Sequence, residues 1–302
     1  MRDGGWRSWL VQTSTAPGWQ ANIALRTMGP FAHPTTLAVF INSAVFFACV
    51  LVVMPQRRRR TLVLVGLALG VMGVTLFLTA SRAAGGVLLA FFLLSLLSAH
   101  RGPWQVASTI VLGEIVVGFT LLCAVTLAWN FFPFSYERNA ETGFASVRFY
   151  AVPEERALIH GAAVRMFLER PLTGIGPGLF GENLKRFVAF PQFEAAARFF
   201  NDDPRQVVDR YRTGPDPHSS WFGWLARAGL VGFGAMAWFF ASRAIGFFRA
   251  ARAPGSRGRI ALLAFVFLTG FLYDGFAVEI VHLRFFWVFL AFGTAAIDGE
   301  FA

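Results

Sequence analysis

Apolar residues in this chain come in long blocks rather than in alternation. Seven blocks are long enough to be read as spans: roughly 36–54, 61–79, 84–99, 105–129, 219–241, 260–280 and 281–297. Runs of about 20 apolar residues match the thickness of a bilayer at the rise of an α-helix. Between the fourth and fifth blocks lies the one long polar stretch, 130–218. Within it "ERALIHGAAVRMFLER" (155–170) repeats Leu158, Ala162, Met166 and Ala163, Phe167 at helical spacing, which predicts an amphipathic helix stopped by Pro171. "LKRFVAFPQFEAAARFF" (184–200) interleaves Phe with Arg in the manner of a segment lying along a membrane surface. The pattern predicts an all-α fold: a polytopic transmembrane helical bundle of about seven spans with one large loop containing helices. Its parts are an N-terminal segment (1–35), four spans (36–129), the loop (130–218), and three spans with a short tail (219–302).

Charge orients this bundle. "PQRRRR" (55–60), "AHRGPW" (99–104) and "SRAIGFFRAARAPGSRGR" (242–259) hold ten Arg and no acid, and they alternate along the chain so that all three can face the cytoplasm. The N-terminal segment, the Ser81-Arg82 turn and the loop 130–218 then face outward. A formal charge of +10 in a soluble protein would suggest nucleic acid. Here the arginines sit in short gaps between spans, which excludes a nucleic-acid partner and leaves membrane lipids. With 56% hydrophobic and 15% charged residues the chain is far from an ordinary soluble domain, in which about 25% are charged. Cys49 and Cys123 both fall in apolar blocks, so neither a disulfide framework nor a zinc site is expected.

Few residues are left to carry chemistry. Arg82, in "LFLTASRAAGGVLLAFF", stands between two spans joined by almost no loop. One reading is snorkelling to headgroups. The other is a phosphate or pyrophosphate contact, for which the small neighbours Ser81, Ala83, Ala84, Gly85 and Gly86 would leave room. The glycines of "RPLTGIGPGLFGENLKRF" (170–187) lack the preceding strand of a nucleotide loop; they predict a tight turn, whose backbone N–H groups are a weaker candidate for an anion. His218, in "PDPHSSWFGWLARAGLVG" (215–232), is one of only five histidines and sits at the outer end of a span. It reads either as a general base for a hydroxyl or as part of a cap with Ser219 and Ser220. Glu114 and Glu279 are carboxylates within apolar blocks, and Asp274, His282 and Arg284 are near enough in sequence to pair with Glu279.

Four segments, in order, resemble the membrane domain shared by O-antigen ligases and O-antigen polymerases. "RTMGPFAHPTTLAVFIN" (26–42) resembles the family's Arg-x-x-Gly-x-Phe-x-x-Pro entry to a span, and "TASRAA" (79–84) its Ser-Arg at an outer helix end. "RALIHGAAVRMFLERPLTGIGPGLF" (156–180) is similar to its helix ending in Pro-Leu-x-Gly-x-Gly-x-Gly. "PHSSWFGWLARAGLVG" (217–232) is similar to its His-Asn-x-x-Leu…Gly-Leu-x-Gly segment. Ser219 stands where the family has Asn, and His160 where it has Trp. The family pattern has further spans ahead of the Arg26 segment, so this chain is expected to lack the N-terminal ones.

The resemblance implies metal-independent, cofactor-free glycan transfer from an undecaprenyl-diphosphate-linked glycan to a hydroxyl at the periplasmic face. The acceptor is a glycan or lipid A-core. Catalytic roles carry over to His218, Arg82 and Arg156; within the same segments Arg26, Arg165, Gly174, Gly176 and Gly178 are the candidates for holding substrate. Two further classes of function fit the composition: a lipid-linked glycan transporter using Arg82 and Glu114, and a non-catalytic membrane partner of a glycan-assembly complex.

Overall fold

The computed structural model describes residues 11–13, 25–27, 30–31, 34–54, 58–79, 81, 84–99, 134–138, 145–149, 155–188, 191–192 and 217–298. The architecture is helical, as the apolar blocks predict. Helices α1 (Pro34–Val53), α2 (Arg59–Thr79) and α3 (Ala84–Ala99) come first, then α4 (Glu155–Glu169) and α5 (Phe180–Phe187), then α6 (Ser220–Ala250), α7 (Gly255–Asp274) and α8 (Arg284–Asp298). Two small pairings join them: strands Val11–Thr13 with Leu25–Thr27, and the antiparallel pair Phe134–Arg138 with Ala145–Phe149, in which Phe134 faces Phe149.

Four helices among the described residues are long and apolar enough to cross a membrane: Thr35–Val53, Arg59–Leu76, Ser220–Ala250 and Gly255–Asp274. The expected spans 84–99 and 281–297 correspond to the shorter α3 and α8, and the expected span 105–129 lies outside the described residues. The Arg-rich gap 242–259 is mostly helix: α6 continues to Ala250, and only 251–254 separate it from α7. No Pro interrupts the sequence before Pro254, and the long arginine stems sit on a helix without breaking it. The block 219–241 is not one smooth helix either, because Gly229 has φ 61° and ψ −163°.

The chain divides into two compact units. The first comprises Met1–Arg26 and Ala124–Ala235. Its core takes Ala162, Ala163 and Met166 from the predicted amphipathic face of α4, with Ile159 buried beside them where Leu158 and Phe167 are only half-buried, and is closed by Ile175, by Phe180 and Leu184 of α5, and by Ala226 of α6.

The second unit comprises Thr27–Cys123 and Met236–Ala302. Phenylalanine rings fill it. Phe46 of α1 meets Phe289 of α8 edge-on at 4.7 Å and Phe267 of α7 at 5.6 Å, and Phe271 lies 4.8 Å from Phe289. Such ring pairs contribute about 0.5–1.5 kcal/mol each beyond the area they bury. Where α3 crosses α7 the backbones nearly touch: a side chain on Gly270 would come within 2.4 Å of the Gly86 carbonyl oxygen. At that crossing Asn42 Nδ2 donates a 3.0 Å hydrogen bond to Asp274 Oδ2, and both residues are fully buried. Glu279, also buried, pairs with exposed His282, Oε1 to Nε2 at 3.4 Å, as sequence proximity suggested.

Candidate functional site

His218 stands two residues before α6, half-buried, with φ 51°. Among the described residues it is the one non-glycine side chain on a positive-φ backbone. That region costs an L-residue energy and is occupied where the surroundings impose it. Two contacts impose it here. Ser219 Oγ accepts a long, 3.5 Å hydrogen bond from Phe222 N, which makes Ser219 the N-cap. Pro217 is buried against the first turn of α6, where a Cβ on Gly223 would lie 2.7 Å from its Cγ. The serine therefore caps the helix, and the histidine is held just outside it.

Arg156 is the second residue of α4 and is half-buried. Two sets of contacts fix how α4 runs beside the first part of α6. Near the start of both helices, the His160 ring stacks on Phe222 at 4.5 Å and 20°. After α4 ends, Pro171 O and Leu172 O accept hydrogen bonds from Leu230 N (2.7 Å) and Val231 N (3.1 Å). Residue numbers rise together on the two sides, so the helices run parallel. Arg156 lies one turn before His160 and His218 one turn's length before Phe222, so both sit at the same end of this unit.

The glycine turn after α4 has a definite use. The break at Gly229 frees the last carbonyls of one helical stretch and the first N–H groups of the next, and buried groups of that kind must be partnered. Residues 171–176 partner them on both sides. Ile175 N and Gly176 N donate to Ala226 O (2.9 Å) and Arg227 O (3.0 Å), while Pro171 O and Leu172 O accept as described above. Gly174 has φ 67°, and a Cβ there would lie 2.4–2.5 Å from the Arg227 backbone; a Cβ on Gly229 would lie 2.5 Å from that of Leu172. Gly174 N donates to Arg170 O at 2.8 Å. The N–H groups of Gly174 and Gly176 are thus engaged by the chain itself, and the expected tight turn is a splint for α6. Gly178, at φ 77°, continues the turn.

Other candidates are placed as follows. Arg165 Nη1 donates to Phe187 O at 2.7 Å, closing the C-terminus of α5 from α4, where a cation also suits the helix dipole. Arg26 lies in the strand Leu25–Thr27. Arg82 lies outside the described residues, as does Glu114. A Cβ on Gly85 or Gly86 would come within 2.4 Å of Tyr273 or of the Asp274 side chain. Small residues there serve the helix crossing.

Sequence reasoning passed over Arg227. Its Nη2 lies 3.7 Å from the point a Gly223 side chain would occupy, beside Pro217, and its Cζ lies 5.9 Å from the Phe180 ring centroid. An arginine inside an apolar block was the signal.

A family model described as O-antigen ligase matches residues 67–237, more than half of the chain. The chain belongs to the O-antigen ligase family. A search of curated proteins finds no match. The family match takes in the Ser81-Arg82 turn, α4, the glycine splint, His218 and the break in α6; the Arg26 segment falls before it and α7 and α8 after it. Membership, with four helices of membrane-crossing length and composition, makes this a membrane protein of the O-antigen ligase type. His160 acquires a meaning in that family setting. Its imidazole supplies, four residues after Arg156 and within the matched segment, the flat ring that stacks on Phe222.

Proposed function

We propose that this chain transfers a glycan from an undecaprenyl-diphosphate carrier to a hydroxyl acceptor at the periplasmic face of the inner membrane. The observation that carries the reading is the parallel pairing of α4 with the head of α6, with Arg156 and a backbone-constrained His218 at one end. The acceptor is a glycan or lipid A-core hydroxyl. His218 takes the hydroxyl proton as the acceptor oxygen bonds to the anomeric carbon. The bond from that carbon to the diphosphate oxygen breaks, and the electron pair leaves with the diphosphate. Arg156 and Arg82 stabilise the charge gathering there, since planar guanidinium groups suit phosphate oxygens and fixed charges need no reorganisation during the step.

General-base groups contribute about 10²–10⁴-fold to rate. In vesicles supplied with lipid-linked glycan and acceptor, His218→Ala is expected to lose transfer by that factor, and Arg156→Ala and Arg82→Ala to lose it comparably. All three should still insert into the membrane. Normal transfer by His218→Ala would overturn the assignment. Accumulation of donor on the inner leaflet in cells lacking the protein would instead indicate a transporter.

A further inference from the structure

α6 is too long for a simple span. Gly229 divides its 31 residues into two stretches, and the second, from Leu230 to Ala250, covers about 31 Å by itself at the rise of an α-helix, against a hydrocarbon core of about 30 Å. The bilayer can therefore cover only part of it, and two placements compete.

If the membrane began at Ser220, the break at Gly229 would lie within the hydrocarbon. The splint 171–176 would go with it, because it is hydrogen-bonded to residues 226–231. Exposed Arg170, Pro171 and Thr173, and the irregular backbone they belong to, would then face hydrocarbon. Non-helical backbone is tolerated at that depth only when buried in protein or lining a water-filled cavity.

If the membrane begins at Leu230, the stretch from there to Phe248 covers about 28 Å and spans by itself. Exposure changes at that point. Between Ser220 and Gly229 every residue is buried or half-buried, whereas Leu230 is 51%, Val231 68% and Trp238 76% exposed. Arg243 then lies within about 8 Å of the far end, within reach of snorkelling.

The splint adds apolar surface at the same level. Leu172 is 64% exposed and its carbonyl is bonded to Val231; Leu168, at the end of α4, is 66% exposed; Leu179, whose Cδ1 would touch a side chain on Gly176, is 39% exposed. Exposed Arg170 adjoins this patch, and exposed Lys185 and Arg186 follow in α5. A contiguous apolar patch with basic neighbours, continuous with a membrane-length helix, suits the boundary between acyl chains and anionic headgroups.

We infer that the splint is a membrane-docking surface: Leu168, Leu172 and Leu179 join Leu230 and Val231 in the interfacial layer, and Ser220–Gly229, which carries His218 ahead of it, is a helix outside the hydrocarbon core. The inference goes beyond the transfer reaction and does not depend on it.

The test uses full-length protein with Cys49 and Cys123 replaced by Ala, in vesicles of phosphatidylethanolamine and phosphatidylglycerol. Nitroxide labels are placed at Leu172→Cys, Val231→Cys, Trp238→Cys, Trp221→Cys and Glu182→Cys. Collisions with oxygen and with a water-soluble nickel chelate report depth. Labels at 172 and 231 should read at the lipid–water boundary, 238 about 10 Å deeper, 182 in water, and 221 outside the acyl region. A label at 172 as open to nickel as that at 182 would overturn the inference. So would one shielded from both reagents, which means a protein partner, or a label at 221 in the acyl region. Val231→Cys gives the same reading from the helix itself if Leu172→Cys does not fold.

Discussion

His160 lies flat against Phe222, ring on ring at 4.5 Å, and this contact sets the register between the helix that carries Arg156 and the helix headed by His218. His160→Ala should cost about 1 kcal/mol beyond the lost packing, and Phe222→Ala a similar amount. The double variant should lose less than the sum, because the two residues share one interaction. Thermal unfolding of the four proteins in detergent measures the coupling. His160→Trp, which restores a flat ring, should retain both stability and transfer.

Gly229→Ala tests the splint. The backbone there has φ 61° and ψ −163°, and the added methyl would meet the Leu172 backbone. A loss of about 3 kcal/mol or more is expected, from strain and overlap together. Gly234→Ala, five residues on, meets nothing within 4 Å and should be neutral or slightly stabilising. Equal melting temperatures for these two variants would contradict the splint geometry.

His218→Gly separates strain from chemistry. Glycine takes φ 51° without steric cost, so the variant should unfold no earlier than the parent and yet lose transfer about as fully as His218→Ala. Retained transfer by the glycine variant would mean that the imidazole serves the turn alone.

Asn42→Ala should destabilise the second unit by about 1–3 kcal/mol, since it removes a side-chain donor from the fully buried Asp274. Thr75→Ala, which loses only an exposed hydroxyl bond to Val71 O within one helix, should change little. Chemical unfolding monitored by tryptophan fluorescence distinguishes them.

Local pattern carried much of this. Apolar blocks located α1, α2, α3 and α8 to within a few residues and set α7 five to six residues late, and the 3.6-residue period located α4 with most of its buried face. Block length misread α6. Its apolar run passes through Gly229 without a visible signal, because the break is imposed by residues 171–176, more than fifty positions earlier. Distance along the chain likewise hid the partner of Asp274, which is Asn42, 232 residues away, and not a neighbour in its own cluster. The glycine turn was legible as a turn, but its amides looked available to an anion because their acceptors lie on another helix.

Because residues 171–176 hold both sides of the Gly229 break by consecutive backbone groups, that stretch has a fixed length as well as a fixed shape. One amino acid inserted or deleted there would move each donor past its acceptor and swing α4 around relative to the head of α6. Side-chain replacement at Thr173 leaves those groups in place, so natural variation in this stretch should arise by substitution and never by a change in the number of residues.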